Sequence, residues 1–315
     1  MGLKKLKKHK KGFLFTVGAM MLLSLLLLSY SIYDITKKDD AIKKRIETLN
    51  DFVFSIEEDL SRQVYASGYR IIFIFQKNII DTGDYIDDVD SRFEEAFYNG
   101  TLYDENQSLM EGVIFSDIKE ALEKNGEKIN AEVNFTNSSV SISHKKPWEV
   151  KVTLKGRLII KDKANLASWN RTQEVNAYIP IDTFEDPVYI VSTNGFITNR
   201  FIKTPYNNFV QGSDVSNLSN HLENSYYTEN DNSPTFLDRL EGNLSAESEE
   251  GIESLVYLPE LSNAGISVKS KSCVDYIYFS DENPEAYKIS GMQDWFKIDN
   301  QSNRHEVYNV SHIII

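Results

Sequence analysis

The chain is short of the residues on which small exported domains and many catalytic sites depend. It has one cysteine, Cys273, in 315 residues. No internal disulfide can form, so the fold must rest on a packed core, which a chain of this length can supply. A lone cysteine in a strand-like run just before Val274-Asp275-Tyr276 reads as a small buried hydrophobe. The five histidines (His9, His144, His221, His305, His312) include no pair at the helical ligand spacings, which argues against a metal centre. There is no GxSxG, P-loop or GxGxxG, so nothing points to hydrolase, nucleotide or dinucleotide chemistry. The acidic run Asp81, Asp84, Asp87, Asp88, Asp90 lacks the D-x-D-x-D-G spacing of a calcium loop. It reads instead as a solvated turn and a helix N-terminus, where carboxylates suit the helix dipole. Positive charge is scarce too, with 34 Lys and Arg against 47 Asp and Glu. Such a body repels phosphate backbones, so no nucleic-acid partner is expected. No enzyme activity and no cofactor are expected either.

What is present is concentrated at the N-terminus. Phe13 to Tyr33 holds twenty-one residues with no charge, no proline and one glycine, Gly18. As a helix it would extend roughly 30 Å, the thickness of a bilayer's hydrocarbon core. Lys4, Lys5, Lys7, Lys8, Lys10 and Lys11 precede it. A cationic flank favours the cytoplasmic side, so the expected protein is a single-pass cell-membrane protein with its N-terminus cytoplasmic and its body extracellular.

The helical pattern does not stop at Tyr33. No proline occurs between Phe13 and Ser67. Ile42, Ile46, Leu49, Val53, Ile56 and Leu60, then Val64, recur at a period of 3.5 to 3.6, an amphipathic stripe. A kink is expected near Asp39-Asp40, burial from Tyr69 to Ile80, and a stop at Asp81-Thr82-Gly83. Shorter helices are expected at Asp84 to Asn99 and at Ser116 to Lys124.

Alternation then takes over. Trp148, Val150, Val152, Leu154, Leu158 and Ile160 alternate with Glu149, Lys151, Thr153, Lys155 and Arg157. Ile129 to Phe135 and Val140 to Ser143 read as a hairpin turning at Thr136 to Ser139. Val175 to Ile181 and Pro187 to Ser192 read as further strands, making a sheet of four or five. An Asn- and Ser-rich loop follows, with a short helix at Asp214 to Leu222. Beyond it come helical turns at Pro234 to Leu240 and Ile252 to Leu258, and strands at Val268 to Phe279 and Glu306 to Ile315. The apolar ending predicts a docked C-terminus.

Asn-x-Ser/Thr occurs at Asn99, Asn106, Asn134, Asn137, Asn170, Asn217, Asn243, Asn300 and Asn309. With 26 asparagines, chance would give roughly four. The excess predicts an N-glycosylated exported body, with Asn134 or Asn137 the readiest acceptors.

Lys10-Lys11-Gly12, followed at once by Phe13-Leu14-Phe15-Thr16, resembles the class III signal peptide of type IV pilins and archaeal pilin-like proteins. The resemblance covers Lys10 to about Ile80. It implies cleavage between Gly12 and Phe13 by a membrane peptidase, with the apolar helix retained. It also implies a fold in which a long N-terminal helix packs on a C-terminal sheet, and as partners the membrane, other pilin-like subunits and a pilus assembly platform. The family usually has glutamate at the fifth mature position, where this chain has Val17. That departure favours a minor subunit over a repeating one. The alternatives are a single-pass receptor or adhesin that does not polymerise, using the Asn/Ser/Tyr-rich loop for contact, and a secreted form cut after Ser31.

The expected fold class is therefore α+β: an N-terminal transmembrane helix continuing into a long amphipathic helix packed on an antiparallel β-sheet, plus a C-terminal α+β region. The expected divisions are a basic leader (1–12), the transmembrane helix (13–33), a pilin-like helix-and-sheet domain (34–203), the Asn/Ser-rich loop (204–234) and the C-terminal region (235–315).

Overall fold

A computed structural model describes residues 6–245 and 248–315, with side chains from Gly12 onward. Lys4 and Lys5 lie outside the described residues, as do the side chains of Lys7, Lys8, Lys10 and Lys11. The chain is α+β, with one long apolar N-terminal helix and a small antiparallel sheet.

Helix α1 runs from Leu6 to Thr82 without a break, Asp39-Asp40 included. With no proline to remove a hydrogen bond, 77 residues extend for about 115 Å. It ends as expected: Gly83 takes a positive φ of 77° and its N–H bonds the Ile79 carbonyl at 2.8 Å. Leu49, Val53, Ile56, Leu60 and Val64 are buried, but Ile42 and Ile46 at the head of the same stripe are 37% and 41% exposed. Periodicity marks a face; it does not say how far the body reaches along it.

Helix α2 (Val89–Asn99) starts later than expected, because Asp88 caps it from a left-handed conformation, accepting from Ser91 N–H at 3.1 Å. The two-residue strands β1 (Thr101–Leu102) and β2 (Glu105–Asn106) lead to α3 (Phe115–Lys128). Three strands then form the main sheet in the order β3 (Ala131–Lys146), β4 (Glu149–Asp162), β5 (Ser168–Pro180), all antiparallel.

That is fewer strands than alternation suggests, for two reasons. The expected hairpin at Thr136 to Ser139 is a bulge inside one long strand. The register steps from Thr136↔Arg157 to Ser139↔Lys155, leaving one extra residue on β3, and Asn137 absorbs it at φ 49°. Opposite the bulge sits Gly156, where a Cβ would come within 2.4 Å of the Phe135 ring. Pro187 to Ser192, read as a strand, is helix α4 (Pro187–Ser192). Its β-branched residues are overruled by Pro187 in the first turn and by Asp186, whose carboxylate accepts from Val188 N–H at 2.9 Å.

Stretch 204–234 contains α5 (Ser216–Glu223) and β6 (Tyr227–Glu229), and it buries Phe209, Leu218, Leu222 and Tyr227. Helix α6 (Phe236–Glu241) agrees with the expected turn. Ile252 to Leu258 does not: β7 (Ile252–Ser254) pairs with β6, and α7 (Leu258–Asn263) starts at its end. Val268 to Phe279 is not a strand either, since α8 occupies Asp275–Phe279. Every residue from Cys273 to Tyr278 is buried, so no period distinguishes helix from strand there. The hairpin of β8 (Ala286–Lys288) and β9 (Lys297–Asp299) precedes α9 (Arg304–Val307), which replaces the start of the expected last strand. The C-terminus is docked through the bridge Ile289↔Ile314, with Ile315 N–H on the Lys288 carbonyl at 2.9 Å, and through His312 Nε2, 2.7 Å from the Gly212 carbonyl.

Two apolar cores result. One is a cluster of buried residues that includes Leu49, Phe97, Leu122, Val152, Tyr227, Phe236 and Ile252. The other gathers Tyr189, Phe209, Leu218, Leu255, Tyr276 and Tyr308.

Candidate functional site

Phe13 to Tyr33 lies wholly within α1 and touches no other part of the body. Phe13, Leu14 and Phe15 are more than 70% exposed, and an 18-residue window of this region reaches a mean hydropathy of 2.2 with none of it buried. In water, so much uncovered apolar surface is unfavourable at about 25 cal/mol per Å2. Two polar side chains in the run bond inside the helix: Thr16 donates to the Phe13 carbonyl and Ser24 to the Met21 carbonyl, both at 2.8 Å. Back-bonding of this kind spares those two hydroxyls the cost of desolvation in hydrocarbon. Gly12 is exposed and helical, with nothing within 4 Å of where a Cβ would stand, and its carbonyl accepts from Thr16 Oγ1 at 3.2 Å. Beyond the run, Lys38 pairs with Asp34 at 2.7 Å, and Arg45 holds Asp162 at 2.7 and 3.0 Å. The Arg45 hydrogen bonds keep the Asp162 carboxyl below the usual range.

The nine sequon asparagines are scattered over the body and none is buried. Asn99, Asn106, Asn137, Asn170, Asn243 and Asn300 are exposed; Asn134, Asn217 and Asn309 are half-buried. Asn134 and Asn137 differ sharply. Asn137 stands out on the bulge, while the Asn134 side-chain oxygen is sealed in the strand.

The acidic run from Asp81 to Asp90 is solvated, as its spacing suggests. Arg92 grips Asp87 at 2.9 and 3.1 Å, which lowers that carboxyl to about 2. Among the described residues no group of three His, Cys, Asp or Glu could hold a metal ion.

A feature that motif reading does not reach is a pair of buried ion clusters where the two cores meet. Arg239 donates to Asp186 at 2.6 Å, to Asp275 at 3.2 Å and to the Ile252 carbonyl at 2.6 Å. Tyr227 donates to Asp186 at 2.7 Å, and Ser254 Oγ to Asp275 at 2.8 Å. Burial raises the Asp186 carboxyl above its ordinary value, against the pull of Arg239, while the two carboxylates raise Arg239 against its own desolvation. In the second cluster Arg304 donates to Glu253 at 3.0 Å and also to Asp299 and Tyr276. Asn230 and Ser233 donate to the same Glu253 oxygen at 2.9 and 3.0 Å, and the other oxygen is buried without a partner. An open hollow of about 380 Å3 lies beside Arg304 and Tyr276.

These residues are bound to one another, so the clusters read as joints between segments far apart in sequence rather than as reacting groups. Burial pushes the Cys273 thiol up to about 12, which leaves it protonated and inert near neutrality. The only sequence signal for the clusters is a charge set inside an apolar run: Asp275 in CVDYIYF, Arg239 in FLDRLE, Glu253 in GIESLV. The chain matches no protein-family model, no curated protein and no solved structure.

Proposed function

We propose that the chain is a membrane-anchored, extracytoplasmic, pilin-like structural and interaction protein, a minor subunit of a type IV pilus-like surface structure. The observation that carries this reading is the division of α1. Residues 12–48 include no buried side chain, whereas the stripe from Leu49 to Val64 is buried in the body. One helix then serves as anchor and as scaffold; a packing of its outer half on the main sheet is supported by Ser61, which donates to the Asn176 carbonyl at 3.1 Å, and by Gly68, where a Cβ would meet Ile179 and Val152. The lysine-rich leader places the N-terminus in the cytoplasm and the body outside. Accessible sequons suit an exported, glycosylated body. Val17 in place of the family's glutamate suits a minor, tip or initiating subunit.

N-terminal sequencing of protein purified from membranes tests the reading. Phe13 is the expected first residue, and Gly12→Leu should block trimming. Met1 or Gly2 would indicate a plain anchor, leaving the non-polymerising receptor or adhesin in front. Ile32 would indicate a secreted protein. Either result removes the pilin-like reading.

A further inference from the structure

The outer face of the main sheet carries a charge pattern opposite to that of the rest of the protein. Alternation sends Val150, Val152, Leu154, Leu158 and Ile160 of β4 into the core. It leaves Lys151, Thr153, Lys155, Arg157, Ile159 and Lys161 on the other face, and none of these six is buried. The row from Lys151 to Lys161 is about 33 Å long at ~3.3 Å per residue. In register beside it lie Thr136, Ser139, Ser141 and Ser143 of β3, and Thr172 and Asn176 of β5. On this face the four cations of β4, Lys151, Lys155, Arg157 and Lys161, outnumber the carboxylates Glu132, Glu149 and Glu174, while the whole chain holds 34 Lys and Arg against 47 Asp and Glu.

The cations are mostly uncommitted. Lys155 approaches Glu174 at 3.8 Å, and Arg157 donates to the Asn170 side-chain oxygen at 2.8 Å. Among the described residues, Lys151, Arg157 and Lys161 have no carboxylate at ion-pair distance.

We propose that this face binds an extended acidic polysaccharide. Stable protein partners need an apolar centre, and the face offers only Ile159 and Tyr178, separated along the strands by about 26 Å. A nucleic acid would find a single exposed ring for stacking, Tyr178, and would meet Glu132, Glu149 and Glu174 on the same surface. A saccharide chain with carboxylates or sulfates at intervals uses both kinds of group present. The cation row pairs with its charges, and the flanking hydroxyls and amides bond its hydroxyls. This inference is independent of how α1 is processed or assembled.

The test uses the full-length chain in detergent micelles, made in a host without N-glycosylation, with polygalacturonate as probe. Dextran and a thymidine oligonucleotide serve as comparisons. At about 50 mM salt the chain should bind polygalacturonate and not dextran, and binding should weaken steeply by about 300 mM. The Lys151→Glu, Arg157→Glu double variant should lose affinity by more than about tenfold. Lys43→Glu with Lys44→Glu, the same charge change at exposed positions on α1, should alter it by less than about twofold. If the face variant proves misfolded, Lys151→Gln with Arg157→Gln should still lower affinity several-fold. Absence of binding at low salt, equal loss from both double variants, or tighter binding of the oligonucleotide would each overturn the proposal.

Discussion

The Arg239 guanidinium meets the Asp186 carboxylate at 2.6 Å, 53 residues away in sequence, with both side chains fully buried. Asp186 also caps α4 and accepts from Tyr227, so one carboxylate joins three segments. Removing the cation alone strands Asp186 and Asp275 in the interior. Arg239→Met should therefore destabilise the protein by about 3–5 kcal/mol. Adding Asp186→Asn and Asp275→Asn to it should recover part of that loss, because fewer unpaired charges stay buried. Urea unfolding midpoints of the variants measure both effects, and a single variant as stable as the parent would contradict this account.

The stripe on α1 predicts a sharp boundary in tolerance. Leu60 is fully buried and Ile46 is 41% exposed. Leu60→Ala should cost about 2–5 kcal/mol, while Ile46→Ala should stay within about 0.5 kcal/mol. Comparable losses at both positions would mean that the body extends further toward the membrane than Leu49.

Gly156 is required by its neighbour. A Cβ at this position would come within 2.4 Å of the Phe135 ring. Gly156→Ala should cost about 1–3 kcal/mol, and Phe135→Leu should cost less in that background than in the parent. Strict additivity in the four-member cycle would show that the two positions do not share this space.

His221 makes stability depend on acidity. It is enclosed by Phe209, Tyr226 and Tyr308, and burial lowers its pKa to about 3. Unfolded, it titrates near about 6.5. The unfolded chain therefore binds the extra proton first as pH falls. The contribution of His221 is fully present above about 6.5 and is lost progressively from there toward 3. Burial shifts His144 in the same direction. His221→Phe should flatten the pH dependence of the unfolding midpoint between pH 6 and 4, approximately the window those values define. A profile unchanged by the substitution would remove His221 as its cause.

Accessibility ranks the sequons. In protein from its native source, mass spectrometry should find Asn137, on the exposed bulge, modified more fully than Asn134, whose side-chain oxygen is enclosed. The reverse order would show that the bulge does not govern access.

Some features of this protein are local, and these were legible in the residue order. The apolar run, the helical pattern carried through to Gly83 and the alternation of β4 follow from spacing within a few residues, although the kink expected near Asp39-Asp40 and the helix start expected at Asp84 do not occur. The same local cues misled where two readings share a pattern. Thr136 to Ser139 has the composition of a turn, yet pairing with β4 on both sides makes it a bulge. Val188 to Ile190 prefers strand, yet Asp186 and Pro187 start a helix, and Arg239 fixes Asp186 from far along the chain. Ile42 and Leu60 stand in one stripe, and only the extent of the folded body separates the exposed one from the buried one. The ion clusters and the basic sheet face belong wholly to tertiary structure. Asp186, Arg239 and Asp275 are unremarkable charges until folding removes water from all three together. Lys151, Arg157 and Lys161 are only the polar half of an alternation until β3 and β5 flank them with hydroxyls and amides. Residue order sets each segment's preferences; solvent exclusion and pairing between distant segments decide which of them survive.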